Sequence, residues 1–255
     1  MDTDTMRLYP DPTAGELVHA IAKNYRLKDE QVFVGVGSDD VLAMSFLTFF
    51  NSQKPVLFPD ITYSFYDVWA DLFRIPYERP ALDENFHIRT EDYFRENGGI
   101  VFPNPNAPTG ELMTLEQIEQ IIQANPDVIV VVDEAYIDFG GESALPLIDK
   151  YDNLIVVRAF TKLFAIPGVR LGYMLSKNEA VRQKVQRNLP EWNVSVLAQM
   201  AGDACIKESE YIKETASYVS GQRRLLSDGL KKLGFKVYKS DADFILFYSK
   251  LPLYD

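Results

Sequence analysis

The sequence predicts an α/β fold, a mostly parallel sheet covered by helices, followed by part of a smaller α+β domain. Three observations lead there. Apolar runs of strand length alternate with segments of helical apolar spacing through most of the 255 residues. The run Val128-Ile129-Val130-Val131-Val132 is apolar at every position, as a strand buried on both faces requires. From about residue 178 the pattern changes to long helices and then to two short strand-like runs.

Taken in order, Thr13-Ala14-Gly15-Glu16 reads as a capping box that opens a helix burying Leu17, Ile21 and Ala22. Strands are expected at 32–36, 55–58, 100–102, 128–132, 154–157 and 171–175. Thr114-Leu115-Glu116-Gln117 reads as a second capping box, with Ile118, Ile121 and Ile122 at helical spacing behind it. A last long helix is expected over 210–233, with strands at 235–238 and 244–248. The chain thus divides into a large domain, 1–208, and the start of a small C-terminal domain, 209–255.

Composition removes several function classes. The 26 basic and 37 acidic residues give a net charge of −11 with no block of like charge, which argues against a nucleic-acid partner. The acidic start, Met1-Asp2-Thr3-Asp4-Thr5-Met6-Arg7, lacks the apolar core of a signal peptide, and the run 128–132 is too short to cross a bilayer. A soluble, cytoplasmic protein without a membrane partner is expected. Cys205 is the single cysteine, so no internal disulfide can form, and its helix-like surroundings predict a buried small hydrophobe. His19 and His87 stand apart and make neither a metal site nor an acid–base pair, so no metal is expected.

The chemistry lies in two stretches. Asp133 ends the apolar run and should sit at the carboxyl end of a buried strand, where open α/β sheets bind ligands. An apolar run followed by Asp-Glu also describes a nucleotide hydrolase, but the phosphate loop G-x-x-x-x-G-K-[ST] which that reading needs does not occur. Lys162 alone would be read as a solvated loop residue. It follows a strand, however, with Thr161 before it and Arg170 after it. Gly35-Val36-Gly37-Ser38-Asp39-Asp40 lies between a strand and a helix, where free N–H groups make an anion site; Asp40 at the third glycine position rules out a dinucleotide fingerprint. A pyridoxal phosphate site needs a lysine for a Schiff base, a carboxylate for the pyridine nitrogen, and hydroxyl or cationic groups for the phosphate. Lys162, Asp133, Thr161 and Arg170 can fill those roles. Tyr63, in an aromatic stretch, either stacks on such a ring or packs in the core.

In order, Arg7-Leu8-Tyr9-Pro10-Asp11-Pro12, Gly37-Ser38-Asp39, residues 59–66, Asn104-Pro105-Asn106-Ala107-Pro108-Thr109-Gly110, Asp133-Glu134-Ala135-Tyr136 and residues 158–173 resemble the fold-type I pyridoxal phosphate-dependent aminotransferases, and more narrowly the histidinol-phosphate aminotransferases. The resemblance spans nearly the whole chain. It implies a transferase that uses pyridoxal 5'-phosphate to move an amino group between a small-molecule amino donor, histidinol phosphate, and a 2-oxo acid in histidine biosynthesis, a route of amino-acid biosynthesis. Lys162 would be the catalytic residue, holding the cofactor and then shuttling the proton at the substrate Cα. Asp133 would pair with the pyridine nitrogen, Tyr136 with the phenolic oxygen, and Tyr63 would stack on the ring. Ser38, Asp39, Thr161 and Arg170 would hold the phosphate. Tyr9 would reach the phosphate of a neighbouring subunit, implying a homodimer with shared sites.

The chain departs from the family where Ala107 replaces an asparagine that touches the phenolic oxygen. By the same resemblance, the N-terminal arm and most of the small domain, with the arginine that grips the substrate carboxylate, are expected to be missing. Related aminotransferase or decarboxylase chemistry, or a non-catalytic protein retaining the fold, are the alternative readings.

Overall fold

The computed structural model describes residues 6–250, so the start of the acidic stretch, residues 1–5, and the ending 251–255 lie outside it. Seven strands form one sheet: β1 (Val32–Gly35), β2 (Val56–Leu57), β3 (Tyr77–Glu78), β4 (Gly99–Pro103), β5 (Val130–Asp133), β6 (Leu154–Ala159) and β7 (Gly172–Leu175). Their spatial order is β1-β7-β6-β5-β4-β2-β3. The pairs from β3 through β6 are parallel, whereas β7 runs antiparallel to both β6 and β1. The mostly parallel α/β sheet is as expected. β3 was not foreseen, because a two-residue edge strand that is only half-buried carries no apolar run.

Strand alternation sorts the core into two layers. Val130, Val132, Leu154 and Val156 face α1 (Gly15–Tyr25), α4 (Leu115–Ala124), α5 (Leu145–Ile148) and α7 (Val196–Ile206). Val131, Ile155, Val157 and Met174 face α2 (Ser38–Phe49), α3 (Phe65–Phe73) and α6 (Glu179–Arg187). On the second face Phe46, Phe50, Phe58, Tyr66 and Trp69 interlock; Phe46 meets Phe50 edge-on at 5.1 Å. After α7 come α8 (Ser209–Lys232) and a separate antiparallel pair, β8 (Lys236–Val237) with β9 (Phe247–Tyr248).

The two capping boxes fare differently. Thr114 accepts from Gln117 N at 3.3 Å while Gln117 Oε1 accepts from Thr114 N at 2.9 Å, so α4 begins as its sequence foretells. The box expected at Thr13 does not form. Asp11 caps α1 instead, taking Thr13 N at 2.9 Å and Gly15 N at 2.6 Å, with Ala14 left-handed at φ 49°. A carboxylate reaching forward along the chain outcompetes the hydroxyl, because it accepts both amides with a full charge at the positive end of the helix.

Gly172 fixes the distance between β7 and the loop after β1. A Cβ there would stand 2.2 Å from Ser38 N, so no side chain fits and the backbones touch. This contact brings the N-terminus of α2 up to the loop that joins β6 to β7. Cys205 is half-buried rather than fully buried, at the end of α7. His19 pairs with Asp29 and His87 with Asp83, both at the surface.

Candidate active site

A cavity of about 160 Å³ opens at the carboxyl ends of the parallel strands. Eight of the nine residues expected from sequence line it: Ser38 and Asp39 from α2, Tyr63 ahead of α3, Asp133 and Tyr136 from the end of β5, and Thr161, Lys162 and Arg170 from the loop 160–171. Tyr9 is not among them. It is 78% exposed and stacks on Trp192 with ring centres 4.6 Å apart.

Asp133 reaches the cavity because β5 ends there, between β4 and β6, with its side chain on the same face as Val131. Its Oδ2 accepts from Tyr66 Oη at 3.0 Å and its Oδ1 from Ala135 N at 3.1 Å. Burial pushes its pKa up to about 6, against the pull of the Tyr66 hydroxyl, the Ala135 amide and the Lys162 charge. A desolvated carboxylate held by neutral donors favours a cationic hydrogen-bond partner, and a protonated pyridine nitrogen is one.

Loop 160–171 is pinned at its base by Phe160 N donating to Leu171 O at 3.1 Å. Phe160 and Phe164 are buried in the first apolar layer, where their rings stack at 4.8 Å, and Leu163 between them is buried as well. These anchors leave Thr161 and Lys162 half-buried toward the cavity. Lys162 Nζ lies 4.9 Å from the centre of the Tyr136 ring, a cation–π contact.

The anion end is built from three pieces. α2 offers first-turn N–H groups, which have no partner within a helix. Gly37, at φ 92°, leaves room for Arg170, whose Nη2 would stand 2.9 Å from any Cβ there. Arg170 donates through Nη2 to Asp39 Oδ2 at 2.7 Å, and Tyr63 Oη donates to Asp39 Oδ1 at 2.8 Å. One carboxylate thus orients both the guanidinium and the ring. Burial and the neighbouring Asp39 push the Tyr63 hydroxyl well above its ordinary range, so it stays a donor. Asp40 seals the turn by accepting from Val36 N at 3.0 Å.

Ala107 lines the cavity, while Asn106 turns away from it. The Asn106 amide donates to Ile61 O and Thr109 Oγ1, each at 3.0 Å, and its oxygen accepts from Thr62 Oγ1 at 3.0 Å. The one asparagine next to Ala107 is thereby committed to holding its own loop.

Beneath the cavity lies a buried network that the sequence reading did not assign. Glu134 points to the opposite face from Asp133 and accepts from Arg158 Nη1 at 2.8 Å, Ser143 Oγ at 2.6 Å and Ala144 N at 2.6 Å. Arg158 also meets Asp138, and Tyr25 and Tyr173 join their hydroxyls at 2.6 Å beside it. The signal was in the parity of the strand: successive residues face opposite layers, so an Asp-Glu pair ending a buried strand needs a partner on each side. Arg158→Ala is expected to lower stability by about 3 kcal/mol, because it strands a fully buried carboxylate. The urea midpoint of the variant against the parent protein measures this, and a shift under a third of that size would show the pair to be dispensable.

Among the described residues no cluster of His, Cys, Asp and Glu is arranged to hold a metal, and no helix is long and apolar enough to cross a membrane.

Comparison with known proteins agrees with this geometry. The family model "Aminotransferase class I and II" matches residues 1–253. A histidinol-phosphate aminotransferase of Lactococcus lactis subsp. cremoris is 45% identical over 248 residues, which is 96% of this chain and 70% of that protein. The crystal structure of histidinol-phosphate aminotransferase from Clostridium acetobutylicum superposes with a TM-score of 0.90 at 28% identity, covering 96% of this chain and 75% of that one. The fold is shared also with the Sinorhizobium meliloti histidinol-phosphate aminotransferase, solved in complex with pyridoxal-5'-phosphate, at a TM-score of 0.89 and 22% identity over 96% of this chain and 68% of that one.

Proposed function

The chain belongs to the class I and II aminotransferases, a pyridoxal 5'-phosphate-dependent family, and from that membership we propose that it transfers an amino group between histidinol phosphate and a 2-oxo acid such as 2-oxoglutarate, in histidine biosynthesis. The observation that carries the reading is the meeting in one cavity of Lys162, the desolvated Asp133 and the Arg170–α2 anion cradle. The substrate rests on the named activity of relatives at 45% identity.

The residues present fit the cofactor. Asp133 offers a buried acceptor for a protonated ring nitrogen, Arg170 retains donors beyond the one given to Asp39, and Gly37 leaves the cradle open. Bound there, pyridoxal phosphate supplies an aldehyde that condenses with amines and a ring that accepts the electron pair left when a C–H proton departs. Asp133 would hold the ring nitrogen's proton through a charge-assisted hydrogen bond. Ser38, Thr161 and Arg170 would bind the phosphate, aided by the amides at the start of α2. Tyr63 would pack against the ring, and Tyr136 would offer its hydroxyl to the phenolic oxygen, a contact that Ala107 cannot make. Lys162, the lysine of the cavity lining, would hold the aldehyde, and its amine would serve as the base that takes and returns the proton at the substrate Cα.

The proposal extends to a homodimer in the cytoplasm. Tyr9 is exposed beside Leu8 and the partly exposed Met200, forming an apolar surface that suits a second copy and would let Tyr9 reach that copy's phosphate cradle. The division at 208/209 belongs to the proposal too, supported by the separate sheet of β8 and β9. The deciding experiment is the absorbance spectrum of the purified protein with pyridoxal phosphate, before and after histidinol phosphate is added. A cofactor band that shifts on adding the donor and returns with 2-oxoglutarate is expected. A band that ignores histidinol phosphate but answers another amine overturns the substrate assignment, and the absence of any band overturns the whole.

A further inference from the structure

We propose that the Asp39 carboxylate makes the anion end of the cavity selective: by tying Arg170 and Tyr63 to one group, it weakens the hold on free phosphate and strengthens the hold on a phosphate that carries an aromatic ring. Asp39 enters here as a positioning residue, acting through Arg170 and Tyr63, and its role rests on the cofactor reading above.

A carboxylate is out of place in a seat for an anion, and three separate elements converge on this one. Asp39 stands in the first turn of α2, Tyr63 comes just ahead of α3, and Arg170 lies near the end of the loop 160–171. Arg170 Nη2 donates to Asp39 Oδ2 at 2.7 Å and Tyr63 Oη to Oδ1 at 2.8 Å, so each oxygen holds one of the two. Both partners are held from behind as well. Arg170 is left-handed at φ 55°, alone in this among the residues lining the cavity, and its N–H donates to Pro167 O at 3.3 Å. Its guanidinium lies in the space left by Gly37, where a Cβ would stand 2.9 Å from Nη2. The Tyr63 ring has Phe65 at 5.8 Å, Tyr66 edge-on at 5.7 Å and Trp69 at 6.1 Å between ring centres.

The two bonds act on a ligand in opposite senses. Arg170 and Asp39 are both about half-exposed, so the pair itself adds little to stability. Its effect falls on the seat: an anion approaching Arg170 meets one N–H already given away and a like charge beside it. Free phosphate has no other contact with which to offset that repulsion. The bond to Tyr63 works the other way. With its hydroxyl held by a charged acceptor, Tyr63 keeps one orientation at the cavity wall, and a ring that packs there finds it already ordered. A ligand that joins a phosphate to a ring therefore recovers through Tyr63 what it loses at Arg170. The charged residues lining the cavity are Asp39 and Asp133 against Lys162 and Arg170, so loss of the Asp39 charge leaves the lining positive and less discriminating among anions. The Asp39 backbone amide belongs to the first turn of α2 and stays available to an anion whatever the side chain.

The test titrates the cofactor-free full chain by calorimetry with two probes: inorganic phosphate, and pyridoxine, which has the ring but neither phosphate nor aldehyde. Asp39→Asn is expected to tighten inorganic phosphate by about fivefold and to weaken pyridoxine by about threefold. The opposite signs are the signature, because a merely structural loss weakens both. Asp39 is half-exposed and Asp40 keeps the turn by accepting from Val36 N, so the amide variant should fold normally. Tyr63→Phe should weaken pyridoxine by about the same factor and leave phosphate unchanged, and the double variant should bind pyridoxine no more weakly than either single one. Where the parent protein binds both probes, any other pattern in Asp39→Asn, with both moving the same way or either one unmoved, overturns the inference alone. A parent protein that binds neither probe overturns the cofactor reading and this inference with it.

Discussion

Lys162→Ala is expected to abolish transamination, by at least about four orders of magnitude, or roughly 5.5 kcal/mol of transition-state stabilisation. Among the residues lining the cavity it is the one lysine, so no neighbouring primary amine can take over either its bond to the cofactor or its proton transfer. The fold should survive, because the buried anchors of the loop are Phe160, Leu163 and Phe164 rather than Lys162 itself. Borohydride reduction and peptide mapping of the parent protein should place the pyridoxyl group on Lys162, and the variant should carry none. A label recovered on another lysine in the parent protein sinks the assignment.

Asp133→Asn separates activity from stability. Loss of the buried charge beside the ring nitrogen should slow the half-reaction by about a thousandfold, near 4 kcal/mol. In the cofactor-free protein the same change should stabilise the fold at neutral pH. The folded pKa of Asp133 is raised to about 6 from 3.8, so between those values the native state binds a proton that the unfolded state has lost. Stability therefore falls as pH rises through that window, and the full cost, on the order of 3 kcal/mol, is present above it. Glu134 is shifted in the same direction by its own burial and adds to the slope. Urea titrations should show the variant more stable than the parent at pH 7.5 and equal to it near pH 3. Equal stability at both values would mean that burial does not strain this carboxylate.

The strands legible in sequence were those buried on both faces. The run 128–132 is unbroken Val and Ile, and it ends at the residue whose position mattered most, Asp133. Lys162 was legible through its neighbours, since a hydroxyl before it and an arginine after it make little sense on a solvated loop. What escaped depended on distance along the chain. Asp39 and Arg170 stand 131 residues apart, and nothing local foretells that one neutralises the other; the pairing follows from β7 lying beside β1. Tyr66 sits three residues after Tyr63, on the adjoining face of the helix start, and its hydroxyl on Asp133 could have been inferred from that spacing. The Asp11 cap was hidden by a left-handed Ala14, a conformation that alanine sequences do not advertise.

The antiparallel seam between β1 and β7 also sets the order in which this molecule can be completed on the ribosome. Among the described residues β1 finds its only sheet neighbour in β7, and the cavity's anion end draws Ser38 from one side of that seam and Arg170 from the other. At a translation rate of roughly 10 residues per second, the stretch from β1 to β7 takes on the order of ten seconds to emerge. Through that interval the apolar edge of β1 has no partner and the start of α2 has no guanidinium, while the parallel strands β2 to β6 are already available to one another. The half of the pocket that grips the phosphate is therefore born last, and a nascent chain gains its full hold on the cofactor only when the sheet closes.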